Sequence, residues 1–133
     1  MKYEILEHKA DLKIRAFGKT KEELFLNMFL GMMASLQPES KGEKTKQKIK
    51  ITSLDLNTLL VDFLSEALYL TQINREVYDN VKLNKLTDTE LEGELIGQKI
   101  ERFGEDIKAV TYHNLDVHQK KDRTWEATVL FDI

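Results

Sequence analysis

Apolar residues recur along this chain at two different periods, and the changes of period mark out its elements. Leu12, Ile14 and Ala16 alternate with Lys13 and Arg15, the period-two signature of a strand with one buried face. Tyr3 to Leu6 is a shorter apolar-rich run, and the turn His8-Lys9-Ala10-Asp11 separates the two strands. Gly18 closes the second one. Thr20-Lys21-Glu22-Glu23 then has the spacing of a capping box, in which Thr20 and Glu23 satisfy each other's free backbone donors and start a helix. Its stripe of Leu24, Phe25, Met28, Phe29, Met32 and Leu36 keeps helical period until Pro38 stops it.

Residues Gln37 to Gln47 hold Pro38, Gly42 and several lysines without apolar periodicity, so they are expected to form a long solvated loop. Lys48-Ile49-Lys50-Ile51 alternates as a strand, and Ser53 or Asp55 is placed to cap the next helix. Leu56, Leu59, Leu60, Phe63, Leu64, Ala67 and Leu68 form the strongest helical pattern in the chain and predict the helix at the centre of the core. Glu76 to Leu86 and Glu90 to Ile100 read as two strands joined by the turn Thr87-Asp88-Thr89. Ile107 to Tyr112 suits a short helix or a strand equally well. Leu115 to Gln119 and Thr124 to Phe131 bracket the polar turn Lys120 to Arg123, with Trp125, Ala127, Val129 and Phe131 alternating inward. These elements predict an α+β fold, two main helices packed on one face of a largely antiparallel sheet, in a single domain over residues 1–133.

Composition narrows the function more than it identifies it. Hydrophobic residues make up 41% and charged residues 32%, enough for one core under a solvated surface. Twenty Lys plus Arg against 23 Asp plus Glu leave a net charge of -3, which supplies no broad positive field for non-specific RNA binding. Any RNA role is therefore expected to be indirect. There is no cysteine, which removes disulfides, thiolate nucleophiles and cysteine-ligated metals together. Charged residues interrupt every apolar run near Met1, so neither a signal core nor a membrane span is expected, and the cytoplasm is the expected location.

Candidate chemistry is sparse. His8, His113 and His118 sit in no metal-ligand motif, and no glycine-rich phosphate loop or nucleophile elbow is present. Each histidine reads first as an ordinary structural or surface residue. Asp11 stands where the first turn hands over to the second strand, a place where a carboxylate commonly accepts turn N–H groups. The ending Val129-Leu130-Phe131-Asp132-Ile133 brings Asp132 within one strand step, about 3.4 Å, of the α-carboxylate of Ile133. Alternation places the Ile133 side chain on the inward face with Phe131, which would pin this end of the strand. If the sheet brings Asp11 alongside, three carboxylates converge and their repulsion calls for a cation, a proton or a basic side chain. All-oxygen ligands favour Ca²⁺, Mg²⁺ or Mn²⁺. Acidic strand ends are common on solvated surfaces, and on the residues alone that reading is the stronger one.

Four segments in order resemble the archease family. Tyr3 to Leu12 is similar to its opening, with His8-Lys9-Ala10-Asp11-Leu12 at the H-T-A-D-[IL] motif; Leu54 to Leu70 resembles its long central helix. Ile107-Lys108-Ala109-Val110-Thr111-Tyr112-His113 looks like its K-A-V-T-Y-H segment, and Trp125 to Ile133 matches its W-x-A-x-V-x-F-D-[IV] ending. The resemblance implies an α+β fold with an inserted strand–helix–strand–strand module. It also implies a non-enzymatic role, as a metal-dependent activator of an RtcB-type RNA ligase, promoting its guanylylation and multiple turnover in tRNA splicing or RNA repair. Nucleotide and RNA would be handled by the ligase. By position, Asp11, Asp132 and the Ile133 carboxylate match the family's metal ligands, and Lys108 matches a functionally required lysine. Without the resemblance Lys108 reads as a solvated surface lysine; with it, as a charge balancer or partner contact. Lys9 departs from the usual Thr and puts a positive charge two residues from Asp11, while Asn114 replaces a common Gly in a type that tolerates left-handed backbone. The alternative is a chaperone-like modulator of another RNA-processing enzyme, such as a tRNA methyltransferase, which would need no metal. A small hydrolase using the acidic cluster is the least supported reading, since it lacks an evident nucleophile.

Overall fold

The computed structural model describes residues 1–7 and 11–133, so the turn His8 to Ala10 lies outside the described residues. In chain order the elements are β1 (Tyr3–Glu7), β2 (Asp11–Gly18), α1 (Lys21–Ser35), β3 (Pro38–Thr52), α2 (Leu56–Asn74), β4 (Glu76–Leu86), β5 (Glu90–Phe103), β6 (Ala109–Gln119) and β7 (Trp125–Asp132). The strands form two antiparallel sheets, β1-β2-β7-β6 and β3-β5-β4. The first carries both ends of the chain. The second, with α2, is built from the contiguous stretch β3-α2-β4-β5 and is the inserted module. Helix α1 packs chiefly on β2 and reaches β4, while α2 packs on β6 and touches β3, β4 and β5. The α+β architecture expected from the sequence is thus present, with its strands divided between two sheets.

The helices begin where the polar caps predict. Thr20 is extended and its hydroxyl accepts from the Glu23 N–H at 3.1 Å, while the Glu23 carboxylate accepts from the Lys19 N–H rather than from Thr20. Asp55, not Ser53, caps α2 by accepting from the Thr58 N–H at 2.8 Å; Arg75 ends the helix in a left-handed conformation. Phe25 and Phe29 of α1 both meet Phe63 of α2, at ring-centroid distances of 6.0 and 5.7 Å. These rings, the inward leucines of α2 and Ile14, Ala16, Ala127, Val129 and Phe131 of the larger sheet make one continuous core.

Two expectations are corrected here, and an open one is settled. The stretch Gln37 to Gln47 is no loop: β3 runs unbroken from Pro38 to Thr52, paired along β5 with a bulge between Lys41 and Lys44. Its exposed lysines concealed a strand, because the module sheet is open to water on its outer face and β3 lies at its edge. The Ile133 side chain is 44% exposed and follows the last residue of β7, so it is not pinned in the core. Of Ile107 to Tyr112, the part from Ala109 onward joins Leu115 to Gln119 in one strand, β6, interrupted by a register shift between Thr111 and Asp116. Asn114 sits in that irregularity with φ 52°, the left-handed conformation its side chain tolerates.

Two glycines let β4 lie close over β5. A Cβ on Gly97 would stand 1.9 Å from the Val77 carbonyl oxygen, and one on Gly93 would stand 2.6 Å from that of Lys82. Each glycine is beside a bulge of β4, at Tyr78/Asn80 and Leu83/Lys85 respectively. The start of β4 also holds a buried carboxylate. Glu76, 2% exposed, accepts from the Tyr78 hydroxyl at 2.7 Å and from the Gln47 amide at 3.0 Å, and pairs with the Lys99 ammonium at 3.3 Å. Burial pushes its pKa up, but the three donors and the lysine charge outweigh that and hold it below the ordinary value.

Gly97→Ala is expected to cost about 1–3 kcal/mol or more, since the clash is with backbone, whereas Gly42→Ala, with 3.6 Å of clearance, stays within about 0.5 kcal/mol of the parent. Urea unfolding midpoints of the two variants check the contrast. Glu76→Gln is expected to lose about 1–3 kcal/mol at neutral pH. Because the folded pKa is depressed, the carboxylate's contribution is full above its unfolded value and is lost as pH falls through the folded value. The stability gap between parent and variant therefore closes on acidification through the carboxylate range, as measured by unfolding at a series of pH values.

Candidate acidic corner

At one end of the larger sheet, three strands converge on Asp132. The β2–β7 register sets Asp11 directly opposite Asp132, and the β6–β7 register sets Ala109 opposite it on the other side. Cross-strand partners of this kind have Cβ atoms about 4.5–5.5 Å apart, so the two carboxylates share one face of the sheet. Asp11 is half-buried and Asp132 exposed. The main-chain N–H of Lys108 donates to the Asp132 carbonyl at 2.7 Å, which ties the start of β6 to the last rung of β7. Asp11, Asp132 and the backbone of Lys108 are thus brought together by pairing alone, and Ile133 follows in sequence. The Lys108 side chain is exposed.

The segment around Lys108 is held from three other directions. Ile107 is buried, and its carbonyl accepts from the Gln72 amide of α2 at 2.9 Å. Thr111 donates its hydroxyl to the Leu130 carbonyl at 2.9 Å. Tyr112 donates its hydroxyl to Asp62 on α2, and the same carboxylate accepts from Ser53 at 2.6 Å. That bond to Asp62 is the main reason the Tyr112 phenol pKa is raised. Ile107, Thr111 and Tyr112 thus anchor the run, while Lys108 is left exposed.

A hollow of about 290 Å³ opens beside the corner, lined in part by Ile5, Asp11, Gln37, Glu105, Asp106 and Ile133. Glu105 and Asp106 were not singled out from the sequence. Their signal there was weak, two acids after Gly104 and just ahead of the Ile107 segment. The Gly104 and Glu105 N–H groups donate to the carbonyls of Gln37 and Leu36, at 2.7 and 3.1 Å, and so fasten this turn to the end of α1.

Neither described histidine takes part in the corner. His118 pairs with Asp116 at 2.9 Å near the far end of β6, His113 is exposed, and His8 lies outside the described residues. Among the described residues no three Asp, Glu, His or Cys side chains converge closely enough to hold a metal ion. What the corner does present is two facing aspartates and main-chain oxygens. That donor set suits a hard cation, and the side chains alone do not complete a cage for one.

Comparison with known proteins bears on the family and the fold. A profile of the archease protein family matches residues 3–133. The chain is 38% identical to the protein archease of Methanosarcina mazei over 99% of this chain and 96% of that one. It is 33% identical to the protein archease of Pyrococcus furiosus, over 98% of each chain. Among solved structures it is similar to protein 1598 of Methanobacterium thermoautotrophicum, with a TM-score of 0.74, 26% identity and 98% of both chains covered. It also resembles in fold a crystal structure of an archease, possible chaperone, from Thermotoga maritima, with a TM-score of 0.70, 21% identity and coverage of 96% and 94%. With the family profile matching almost end to end, this chain belongs to the archease family.

Proposed function

We propose that this chain is a metal-dependent protein cofactor that activates an RtcB-type RNA ligase, promoting its guanylylation and multiple turnover in tRNA splicing or RNA repair. The observation that carries the reading is the register of β2, β7 and β6, which puts Asp11 opposite Asp132 and bonds Lys108 to the same rung. Motif positions far apart in sequence thereby meet at one accessible corner. Asp11, Asp132 and the carboxylate of Ile133 would hold a hard divalent cation, Ca²⁺, Mg²⁺ or Mn²⁺. When bound, that ion supplies a concentrated positive charge able to attract a carboxylate or phosphate oxygen. Lys108, exposed and backbone-anchored, presents its ammonium to the partner. The partner ligase carries out the nucleotide chemistry and joins the RNA ends.

A second reading is favoured by one finding, the description of the Thermotoga protein as a possible chaperone. As a chaperone-like modulator of another RNA-processing enzyme, such as a tRNA methyltransferase, the chain would not need the acidic pair. Loss of both aspartates would then leave its effect intact.

Single-turnover guanylylation of the host's ligase, with and without this protein, tests the proposal. Asp11→Ala is expected to lower the stimulated rate about tenfold or more, because charge count tunes hard-ion affinity strongly. Its unfolding free energy should change by less than about 1 kcal/mol, since removing one of two facing like charges relieves repulsion. Lys108→Met should abolish stimulation and Lys108→Arg retain part of it; wild-type behaviour of both would return Lys108 to the solvated surface. Residues appended after Ile133 convert its carboxylate to an amide and are expected to weaken Mn²⁺ or Ca²⁺ binding about tenfold, as read by calorimetry. Unchanged metal affinity in that form would leave only the two aspartates in the site.

A further inference from the structure

The module sheet has one face buried and one face wet, and its lysines are sorted accordingly. Leu91 and Leu95 of β5 are fully buried, so Glu92, Glu94 and Ile96 point to the opposite, outer face. Register places Lys50 beside Glu92, Lys48 beside Glu94 and Lys46 beside Ile96, and β4 brings Lys82 to the other side of Glu94. Along β3, Lys44, Lys46, Lys48 and Lys50 are all exposed, while Ile49 between them is buried. Alternate residues of a strand stand about 6.8 Å apart, so these four ammonium groups form a row about 20 Å long on a paired and therefore stiff scaffold. Of the four lysines in the β3 row, Lys50 alone makes an ion pair with a described carboxylate, with Glu92 at 3.3 Å; across the sheet Lys85 of β4 pairs with Glu90 at 2.9 Å.

We propose that this outer face is a docking surface for the phosphodiester backbone of RNA, with the β3 lysine row tracking one strand. The reading goes beyond ligase activation and does not depend on it. The net charge of -3 gave no reason to expect such a surface, because whole-chain charge averages over faces that the fold separates. A protein partner fits the face less well. Interfaces between proteins are enriched in aromatic residues and arginine and depleted in lysine, and the rows Lys46–Ile96–Asn80, Lys48–Glu94–Lys82 and Lys50–Glu92–Lys85 contain no aromatic residue and no arginine. The same lack of aromatic rings removes base stacking, so recognition is through phosphates and independent of sequence. Glu92 and Glu94 in the middle of the sheet repel phosphate and confine the track to the β3 side. The hollow of about 410 Å³ on this face is lined by Glu92 and Glu94 as well as by Lys48, Lys50 and Lys82, so the phosphates are held along its β3 rim and not within it. Lysines on an edge strand also discourage strand addition by another chain, and that simpler role must be separated experimentally.

The test is fluorescence anisotropy of a short labelled RNA duplex titrated with the full chain across a series of salt concentrations. A parallel titration uses poly-glutamate, and size-exclusion chromatography is run on every variant. Wild type is expected to bind the RNA with a log–log salt slope of about -3 to -4, a loss of roughly a hundredfold between about 50 and 200 mM salt. Lys46→Gln with Lys48→Gln should reduce that slope by about one per lysine and weaken binding at every RNA sequence tried. Lys120→Gln with Lys121→Gln, in the turn between β6 and β7, should leave binding unchanged. Guanylylation of the ligase, assayed without RNA, should be unaffected by the Lys46/Lys48 pair, so failure here and failure of the ligase reading are told apart. Absence of RNA binding at the lowest salt, or equal slopes for wild type and the Lys46/Lys48 variant, would overturn the proposal. So would poly-glutamate binding as tightly as RNA, which would assign the face to an acidic protein. Self-association of the variant with RNA binding intact would reduce the row to edge protection.

Discussion

Everything at the acidic corner depends on the pairing of β2 with β7. Three inward pairs in that ladder, Leu12 with Phe131, Ile14 with Val129 and Ala16 with Ala127, lie in the core and are almost wholly shielded from water. Burying each larger side chain is worth about 1.5–3 kcal/mol, and a slip of one residue would turn the whole set to the solvent face. Setting like charges opposite each other costs about 0.2–1 kcal/mol. The core therefore wins, and Asp11 is held against Asp132 by side chains that point to the opposite face of the sheet. The repulsion between the two carboxylates is a by-product of packing, and it leaves the corner short of positive charge.

Where apolar periodicity ran over several residues, it identified the element correctly. The stripes of α1 and α2, the alternation of β2 and β7, and the Thr87 to Thr89 turn all describe real elements. The failure at β3 has a simple cause. A strand at the edge of a sheet with one wet face needs apolar residues only on its inner side, and there Thr45 and Gln47 stand in for them before Ile49 and Ile51 begin. Gln47 is polar because its amide serves buried Glu76, a contact no local pattern can announce. Ile133 failed for a different reason, since alternation assigns a face but does not show whether another layer covers it. Beyond the last rung of β7 the packing gives way to a hollow.

The corner itself was legible only through motifs. Asp11 and Asp132 are 121 positions apart in the chain, yet they face each other because of the antiparallel register. Nothing in either neighbourhood encodes that distance. Lys108 was still less visible, because its link to the corner is a main-chain N–H and main-chain donors carry no residue identity. Glu105 and Asp106 arrive through the fastening of their turn to the end of α1, again by backbone hydrogen bonds. Side chains tell which faces are buried, and backbone pairing decides which distant residues become neighbours.

The two sheets also differ in when they can exist during synthesis. Every strand of the module sheet comes from residues 38–103, so β3, β4 and β5 can pair as soon as that stretch has left the ribosome. The larger sheet joins β2 near the start of the chain to β7 near its end, and β7 is also the strand on which β6 pairs. Until β7 emerges, β2 lacks a central neighbour and the inner face of α1 lacks part of its cover. Asp11 thus leaves the ribosome long before Asp132 is made, and the acidic corner forms only after the module sheet has had the chance to pair.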